Sequence, residues 1–278
     1  MVHKLSDFFW RTVFANPALR ARVAFQVKYR CLHELDLRIP LGYGISVPWF
    51  DQEIGSSFTE IFLEQEYSRL FEFIEAPTRW IDLGAFAGFF SIWLLWNRRR
   101  LVMDDAPCEA LLIDADEVRT LYIRDLFRIN NLTEKFRFRH GAIGAGEETC
   151  KFVHSPYMGS ALASIAGTAA GAAEVPILTA AQIISIFHPP FELLKVDIEG
   201  AEYDLFKDYH DLLCCCENLL LEWHSWHPGK GGLGQLQALA SEAGFEQIAE
   251  LQPPRNVNSG QTGVVLLHRV RQTQSTTS

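Results

Sequence analysis

Several features that mark common binding classes are scarce in this sequence. It has only one run of three basic residues, Arg98 to Arg100, and a formal net charge of −9. Nucleic-acid binding depends on clustered Lys and Arg, so a polyanion is not expected as the main partner. No apolar stretch reaches the length of a membrane span, and no basic start precedes an apolar segment near Met1. We therefore expect a cytoplasmic protein with no membrane span.

The cysteines and the glycine turns exclude further classes. Three of the six cysteines are consecutive, Cys214 to Cys216, which is neither a CxxC zinc pattern nor a disulfide framework. The apolar run RWIDL from Arg79 is followed by Gly84-Ala-Phe-Ala-Gly88. This turn lacks the GxGxxG spacing of nicotinamide sites and the Lys-Ser/Thr end of a phosphate-binding loop. The turn is therefore a poor nicotinamide fingerprint, and no phosphate cradle is indicated.

The 278 residues, 48% of them hydrophobic, can bury one large core plus a small appendage. Residues 1–76 are predicted to be a helical appendage: one helix begins at Asn16-Pro17, and a capping box from Ser57 opens helices that reach Ile74. The stretch from Leu41 to Phe50 is expected to be a loop or a short extended piece. Residues 77–270 form the main domain, and 271–278 are expected to be a frayed tail.

The main domain alternates between apolar strand patterns and helix patterns, which predicts an α/β fold. The seven expected strands are Arg79 to Leu83, Ala110 to Asp114, Phe136 to His140, Phe191 to Asp197, Asn218 to Trp223, Phe245 to Leu251 and Gly263 to His268. The last two are predicted to form an antiparallel hairpin with its turn around Pro253. Thr149 to His154 is a further strand-like stretch outside this count. A loop is expected from Gly167 to Glu174. The whole pattern predicts a mainly parallel seven-stranded sheet.

Acidic residues stand where four of these strands end: Asp82, Asp114, Asp197 and Glu222. In a parallel sheet these ends share one edge, so the carboxylates are expected to meet in one crevice. Asp114 follows the second strand, where an acid is well placed to accept both hydroxyls of a ribose.

The strongest catalytic candidates lie in LLKVDIEGAE and LLLEWH. Asp197 and Glu199 are crowded acids, which favours a raised pKa and a role as proton acceptor. His224, next to Glu222, is a natural general base, although a structural histidine is an equally good interpretation. Lys195 is interpreted as the partner in a buried ion pair with Asp197 or Glu222.

The strings DLGAFAGFFS, LLIDAD, LTAAQI, LLKVDIEGAEYDLF and LLLEWH occur in this order, and together they resemble the FkbM-type family of class I S-adenosylmethionine-dependent methyltransferases. The family usually has Asn where Phe86 stands, Leu-Asp where Ala180 and Ala181 stand, and Glu where Asp114 stands. The change at Phe86 affects the cofactor cradle, although backbone contacts would survive it.

The resemblance implies a Rossmann-like sheet, S-adenosylmethionine as cofactor, and methyl transfer to an oxygen of a sugar, polyketide or similar small natural product. The implied cofactor-binding residues are Tyr67, Asp82, Gly84, Ala85, Gly88, Asp114, Ala142, Ser160 and Asp197. The candidate catalytic residues are His224, Asp197, Glu199 and Glu222, with Asp197 and Glu199 bordering the methyl group. The appendage serves either acceptor specificity or a homodimer.

Three alternatives stay open at this point. No resident metal is expected, but in a variant mechanism Asp197 and Glu222 bind a divalent cation that polarises the acceptor hydroxyl. A nicotinamide oxidoreductase is disfavoured by the glycine spacing. A non-catalytic cofactor-binding or scaffold protein is compatible with the departures at Phe86, Ala180 and Ala181.

Overall fold

The structure is a computed structural model. It describes residues 38–48, 52–102, 107–146, 148–154, 160–166, 171–227, 229–257 and 260–270. The helix predicted at Asn16 and the predicted tail lie outside these residues. Among the helices of the described part, none has both the length and the apolarity needed to cross a bilayer.

The strands, numbered in chain order, are β1 (Arg38–Gly42), β2 (Ile45–Pro48), β3 (Arg79–Leu83), β4 (Glu109–Asp114), β5 (Phe136–His140), β6 (Thr149–Val153), β7 (Ala161–Leu162), β8 (Ala173–Pro176), β9 (Phe191–Val196), β10 (Cys216–His224), β11 (Phe245–Val257) and β12 (Gly260–Arg269). The helices are α1 (Gln52–Phe58), α2 (Phe89–Val102), α3 (Arg119–Ile129), α4 (Ala163–Ala166), α5 (Ala180–Ile186), α6 (Glu202–Asp208), α7 (His210–Cys214) and α8 (Leu233–Glu242). α1 continues as a π-helical segment, Thr59–Leu63, and a 3₁₀ turn follows at Ser68–Glu72.

Seven strands form the central sheet in the order β11-β12-β10-β9-β3-β4-β5. β10, β9, β3, β4 and β5 are parallel neighbours, whereas β12 runs antiparallel to both β10 and β11. The predicted mainly parallel seven-stranded sheet with a C-terminal antiparallel hairpin is therefore confirmed. Its inner strands are almost continuously apolar, as in β9 (FELLKV), because helices cover both faces.

The chain leaves β3 towards β4 and β5 on one side and returns to β9 and β10 on the other. The strand order therefore reverses between β3 and β9. In open α/β sheets a ligand crevice forms at such a reversal, beyond the carboxyl ends of the strands. A ligand-binding site is therefore expected at the carboxyl ends of β3 and β9.

The segment before β3 packs directly on the central sheet's helices. Ile45, Ile54 and Leu70 belong to the same apolar cluster as α2, and the Tyr67 ring lies 5.0 Å from the Phe90 ring, edge to face. This cover explains why α2 is apolar on nearly all sides. The predicted domain boundary at residue 76 stays a prediction, but the apolar core runs across it.

Three local expectations are corrected. The helical prediction for the appendage misses the antiparallel hairpin of β1 and β2. The predicted turn around Pro253 is not a turn: β11 continues to Val257, with its pairing to β12 shifted between Gln252 and Arg255 because proline has no N–H to donate. The expected loop up to Glu174 ends earlier, since β8 begins at Ala173.

β8 belongs to a second, three-stranded antiparallel sheet with the order β7-β6-β8, called the small sheet below. It is inserted between β5 and β9. An isolated bridge between Ala142 and Ile177 connects its exit to the end of β5. The small sheet therefore stands over the same edge as the crevice.

Candidate active site

A cavity of about 710 Å³, including space open to solvent, lies at the carboxyl ends of β3, β4, β5 and β9. It is lined by Gly84, Phe86, Ile113, Asp114, Ala115, Asp116, Gly141, Ala142, Ile143, Phe152, Ser160, Leu162, Asp197, Ile198 and Glu199. Four strand ends and the small sheet contribute to it.

The turn after β3 is held by the neighbouring strand ends. The N–H groups of Gly84 and Ala85 both donate to the carbonyl oxygen of Ile113, at 3.0 and 3.1 Å. Gly84 has φ +73°, and a Cβ at this position would lie 1.6 Å from the carbonyl oxygen of Asp197. Only glycine satisfies both the left-handed backbone and this close approach.

Asp114 ends β4 with its carboxylate at the cavity. Its Oδ2 accepts the N–H of Phe86 at 2.6 Å, and its Oδ1 accepts the N–H of Asp116 at 2.8 Å. Desolvation raises the pKa of Asp114 to about 7, and these two backbone hydrogen bonds act in the opposite direction. A carboxylate has about four lone-pair sites, so it retains capacity for hydroxyl donors.

Phe86 occupies the centre of the glycine turn. It has φ +49°, an unusual value for an aromatic residue. Its ring lies 4.2 Å from the guanidinium carbon of the buried Arg119, which is fixed by Asp116 at 3.1 Å. Asp116 also contacts Nδ1 of His154, from the small-sheet region, at 2.8 Å. The turn with Phe86 is thus braced by a cation–π contact and a buried ion pair.

Lys195 is the central cation beneath the cavity. Its Nζ donates to Asp197 Oδ2 and to the carbonyl oxygen of Gly84, both at 3.0 Å, and lies 3.6 Å from Asp82 Oδ1. Burial lowers its pKa, but the carboxylates of Asp197 and Asp82 outweigh this effect and raise it. Asp82 is fully buried, and its second oxygen accepts the Ser91 hydroxyl at 2.8 Å. The buried ion pair expected from the sequence is therefore present with Asp197.

His224, 2% exposed, ends β10 beside the loop that follows β9. Its Nδ1 lies 2.7 Å from Oε1 of Glu202, a fully buried residue in the first turn of α6. Its Nε2 lies 3.8 Å from Asp197 Oδ1 and 3.8 Å from Glu199 Oε2. Burial lowers the pKa of His224, but the nearby carboxylates, first Glu202, raise it to about 10.

Asp197 and Glu199 approach His224 although β9 stops at Val196, where the sequence favoured a longer strand. Glu199 adopts φ +54° and Gly200 φ +103°, so the chain turns sharply and brings both carboxylates to the imidazole. Trp226 completes this corner, with its ring 4.3 Å from the His224 ring and its Nε1 donating to the Glu199 carbonyl oxygen at 3.2 Å. Burial, chiefly, raises the pKa of Glu199 to about 7.

Glu222 lies in a separate polar group. Its Oε2 accepts the Tyr67 hydroxyl at 3.4 Å, and its Oε1 lies 3.8 Å from Arg255, which is equally close to Glu66. Burial raises the pKa of Glu222 well above its usual value and that of Glu66 to about 7; burial also raises the pKa of Tyr67. Glu222 is thus held by Tyr67 and Arg255 and stands outside the three-residue group around His224.

The residues predicted for the site divide into two sets. Those that line the cavity are Gly84, Asp114, Ala142, Ser160, Asp197 and Glu199. Those that support it from behind or beside it are Tyr67, Asp82, Ala85, Gly88, Glu222 and His224. The sequence analysis missed Glu202, Arg119, Glu66 and Arg255. The signal for Glu202 was present, because it is the last residue of the string KVDIEGAE.

The family model of the methyltransferase FkbM domain matches residues 114–252, which is half of the chain. The chain belongs to the FkbM methyltransferase family. The match spans β4 to β11 and includes the loop with Asp197 and Glu199 as well as His224. The resemblance found in the sequence is thereby confirmed. No curated protein sequence matches this FkbM-family chain.

Solved structures similar to this FkbM-family protein share little sequence with it. An O-methyltransferase from Bacillus cereus in complex with SAH is 11% identical, with a TM-score of 0.44, and the match covers 75% of this chain and 81% of that one. TrmK from M. capricolum, also with SAH, is 9% identical with a TM-score of 0.42, covering 74% and 67%. A NADB-Rossmann superfamily protein from Streptococcus agalactiae is 14% identical with a TM-score of 0.43, covering 74% and 68%.

The cofactor of this FkbM-family protein is S-adenosylmethionine, and the cavity fits it. The Asp114 carboxylate offers acceptors for a ribose diol, and its two fixed N–H partners hold it in place. The apolar side chains of Ile113, Ala142 and Leu162 suit a planar base. The glycine turn leaves the cavity wall at Gly84 without a side chain.

Proposed function

We propose that this protein transfers a methyl group from S-adenosylmethionine to a hydroxyl oxygen of a sugar, polyketide or similar small natural product. The observation that carries the proposal is the group formed by Asp197, Glu199 and His224. It borders the cavity, since Asp197 and Glu199 line it and His224 lies 3.8 Å behind them. Two carboxylates are groups that orient a hydroxyl and take its proton.

In this proposal the ends of β3, β4 and β5 hold the cofactor. Asp114 accepts the ribose hydroxyls, the residues near Ala142 contact the adenine, and the turn at Gly84 contacts the methionine part. When bound, S-adenosylmethionine supplies a sulfonium methyl group, which bonds to the acceptor oxygen while the electron pair of the C–S bond stays on sulfur. Alignment of the acceptor contributes much of the rate in such an in-line displacement.

The chain's own residues manage the proton. The acceptor hydroxyl donates to the carboxylates of Asp197 and Glu199, and its proton passes to this group as the ether forms. Lys195 fixes Asp197 through Oδ2 and leaves Oδ1 directed towards His224. Glu202 fixes the imidazole from the other side. The proton-accepting groups are therefore already oriented before an acceptor arrives, which lowers the reorganisation required during transfer.

The experiment is a screen with radiolabelled S-adenosylmethionine and acceptors from three classes: free sugars, glycosylated natural products and polyketides. Glu199→Gln should lower kcat by about 10²-fold or more while S-adenosylhomocysteine affinity stays within a few-fold. Glu217→Gln, an exposed change of the same chemistry at the start of β10, should leave both unchanged. Cofactor binding without methylation of any acceptor would favour the non-catalytic scaffold, and binding of NAD alone would refute the cofactor role.

We also propose that the segment before β3 contributes to binding of the acceptor. Within it, the Tyr67 hydroxyl donates to Glu222, and Glu66 lies near Arg255, which also contacts Glu222. Sedimentation of the full chain measures the alternative use in a homodimer. A dimer that dissociates without loss of methylation would separate the two roles.

A further inference from the structure

We propose that Asp197, Glu199 and His224 bind one divalent cation of the Mn²⁺ type. One ligand atom from each residue lies within 4.8 Å of the others. Two ligands about 2.1–2.2 Å from a shared ion stand roughly 3–4.4 Å apart, depending on the angle at the metal. The two measured separations, 3.8 Å from His224 Nε2 to each carboxylate oxygen, fall inside this range.

The orientation of His224 is the independent observation. The His224 side chain is only 2% exposed, and its Nε2 is directed between the two carboxylate oxygens. At 3.8 Å neither oxygen is within hydrogen-bond distance of Nε2. A simple imidazole–carboxylate ion pair would close to about 2.8 Å, as Nδ1 does with Glu202. The gap at Nε2 is therefore of the size that a bridging cation fills.

Glu202 supplies the support that metal-binding histidines usually have. A ligating histidine commonly donates its other ring N–H to a carboxylate, which fixes the tautomer and the ring orientation. Here Nδ1 faces Glu202 Oε1 at 2.7 Å, so Nε2 is the ring nitrogen that would bind an ion, which would displace its proton. The same oxygen of Glu202 accepts the N–H of Gly200 at 3.2 Å, which ties this support to the turn carrying Glu199.

The donor set selects the kind of ion. Carboxylate oxygens suit Mg²⁺ and Mn²⁺, whereas an imidazole nitrogen favours transition metals, and Mn²⁺ accepts both. Three protein ligands leave coordination positions for water or for the acceptor hydroxyl. Glu222 is engaged with Tyr67 and Arg255, so the ligand pair of Asp197 and Glu222 considered from the sequence is replaced by the set around His224.

The role of the ion rests on the proposed function, but its binding does not. A bound cation polarises a hydroxyl oxygen and makes its proton easier to remove. The acceptor oxygen would bind the ion, its proton would pass to the oxygen of Glu199 that does not bind the ion, and the acceptor oxygen would then bond to the methyl carbon as the C–S bond breaks with its pair on sulfur. His224 would in this case be a ligand, with no part as a base.

The test is binding of Mn²⁺ to the full chain, followed by electron paramagnetic resonance. We expect one ion per chain and an echo-modulation signal from a directly bound ¹⁴N nucleus. Glu199→Gln should weaken binding at least tenfold. Glu202→Gln, which keeps the shape but alters the support of Nδ1, should weaken it about 10- to 100-fold. Glu217→Gln should bind as the parent does.

Circular dichroism confirms that each variant is folded before its affinity is interpreted. No Mn²⁺, Mg²⁺ or Zn²⁺ binding at millimolar concentration would overturn the proposal, and so would binding that lacks the nitrogen signal or is unaffected by Glu199→Gln. Methylation that persists with a chelator, together with no ion binding, refutes the metal site and leaves the proposed function intact. Ion binding with the nitrogen signal, but no methylation of any acceptor, supports the site and refutes the proposed function.

Discussion

Asp114 should make cofactor binding depend on pH around neutrality. Burial raises its pKa from 3.8 to about 7, a shift of about three units, or roughly 4 kcal/mol between the two protonation states. Ribose hydroxyls donate to the ionised carboxylate and therefore favour the charged form. About nine-tenths of the free protein carries the carboxylate at pH 8 and about one-tenth at pH 6. Affinity should therefore fall about tenfold between these two values.

The assay is calorimetric titration with S-adenosylhomocysteine, whose sulfur is uncharged. Repeating the titration in buffers of different ionisation enthalpy measures the protons released on binding. We expect about 0.9 proton per cofactor at pH 6 and about 0.1 at pH 8 from this carboxyl. Asp114→Asn should remove this release and weaken binding by about 1.5–3 kcal/mol for each charged hydrogen bond lost.

Glu117→Gln is the matched control, because it removes the same charge from an exposed position three residues away. It should leave the affinity and the proton release unchanged. The apo protein offers a second readout. Since the folded carboxyl has the higher pKa, the unfolded chain loses its proton first, and the free energy of unfolding should fall as pH rises from about 4 to 7. The same pH dependence of binding in Asp114→Asn and in the parent would refute this reasoning.

Three further predictions concern stability and the glycine turn. Lys195→Met leaves buried carboxylates without their cation and should lower the free energy of unfolding in urea by about 3–5 kcal/mol. Lys207→Met, at an exposed position, should change this free energy by less than about 0.5 kcal/mol. Equal effects of the two substitutions would contradict the role of Lys195 as the buried partner of these carboxylates. Gly88→Ala, at φ +76°, puts a Cβ 2.9 Å from a leucine methyl group, whereas Gly171→Ala, at φ +73°, has no atom within 4 Å of the new Cβ. The free energy of unfolding should therefore fall by about 1–3 kcal/mol more for Gly88→Ala than for Gly171→Ala. Similar losses in the two variants would show that only the positive φ matters. Phe86→Asn should change S-adenosylhomocysteine affinity by less than about fivefold. The backbone N–H of residue 86 still donates to Asp114, and the lost cation–π contact with Arg119 contributes only about 0.5–1 kcal/mol. Loss of binding would show that the Phe86 ring itself is required.

The central sheet was predictable because its signals are local. β5 has the bounds Phe136–His140 that the sequence predicted, and β9 is an apolar run ended by an acid. Strand ends determine where acids such as Asp114 and Asp197 lie, so their convergence followed from parallel pairing alone. The position of a carboxylate at a strand end needs no knowledge of distant side chains.

The small sheet and the supporting residues were not predictable in this way. The sequence predicted β6 as a strand at Thr149 to His154, but not its partners, since β8 pairs with it across more than twenty residues and β7 has only two residues. Glu202 belongs to the string KVDIEGAE, which marks it as a family residue but identifies no partner for it. Its function as the partner of His224 depends on the packing of α6 against the end of β10, which no spacing in the sequence reveals.

The small sheet also separates cofactor exchange from the stability of the whole fold. Phe152, Ser160 and Leu162 cover the cavity, while the strands β3, β4 and β9 beneath it belong to the central sheet. We expect cofactor release to follow local opening of this short antiparallel unit, because small units open at a lower free energy than that of global unfolding. The lifetime of the complex would then depend on this unit. Amide hydrogens of β6 and β8 should exchange slowly when the cofactor is bound and quickly when it is absent, while those of β3 and β9 exchange at the same slow rate in both states.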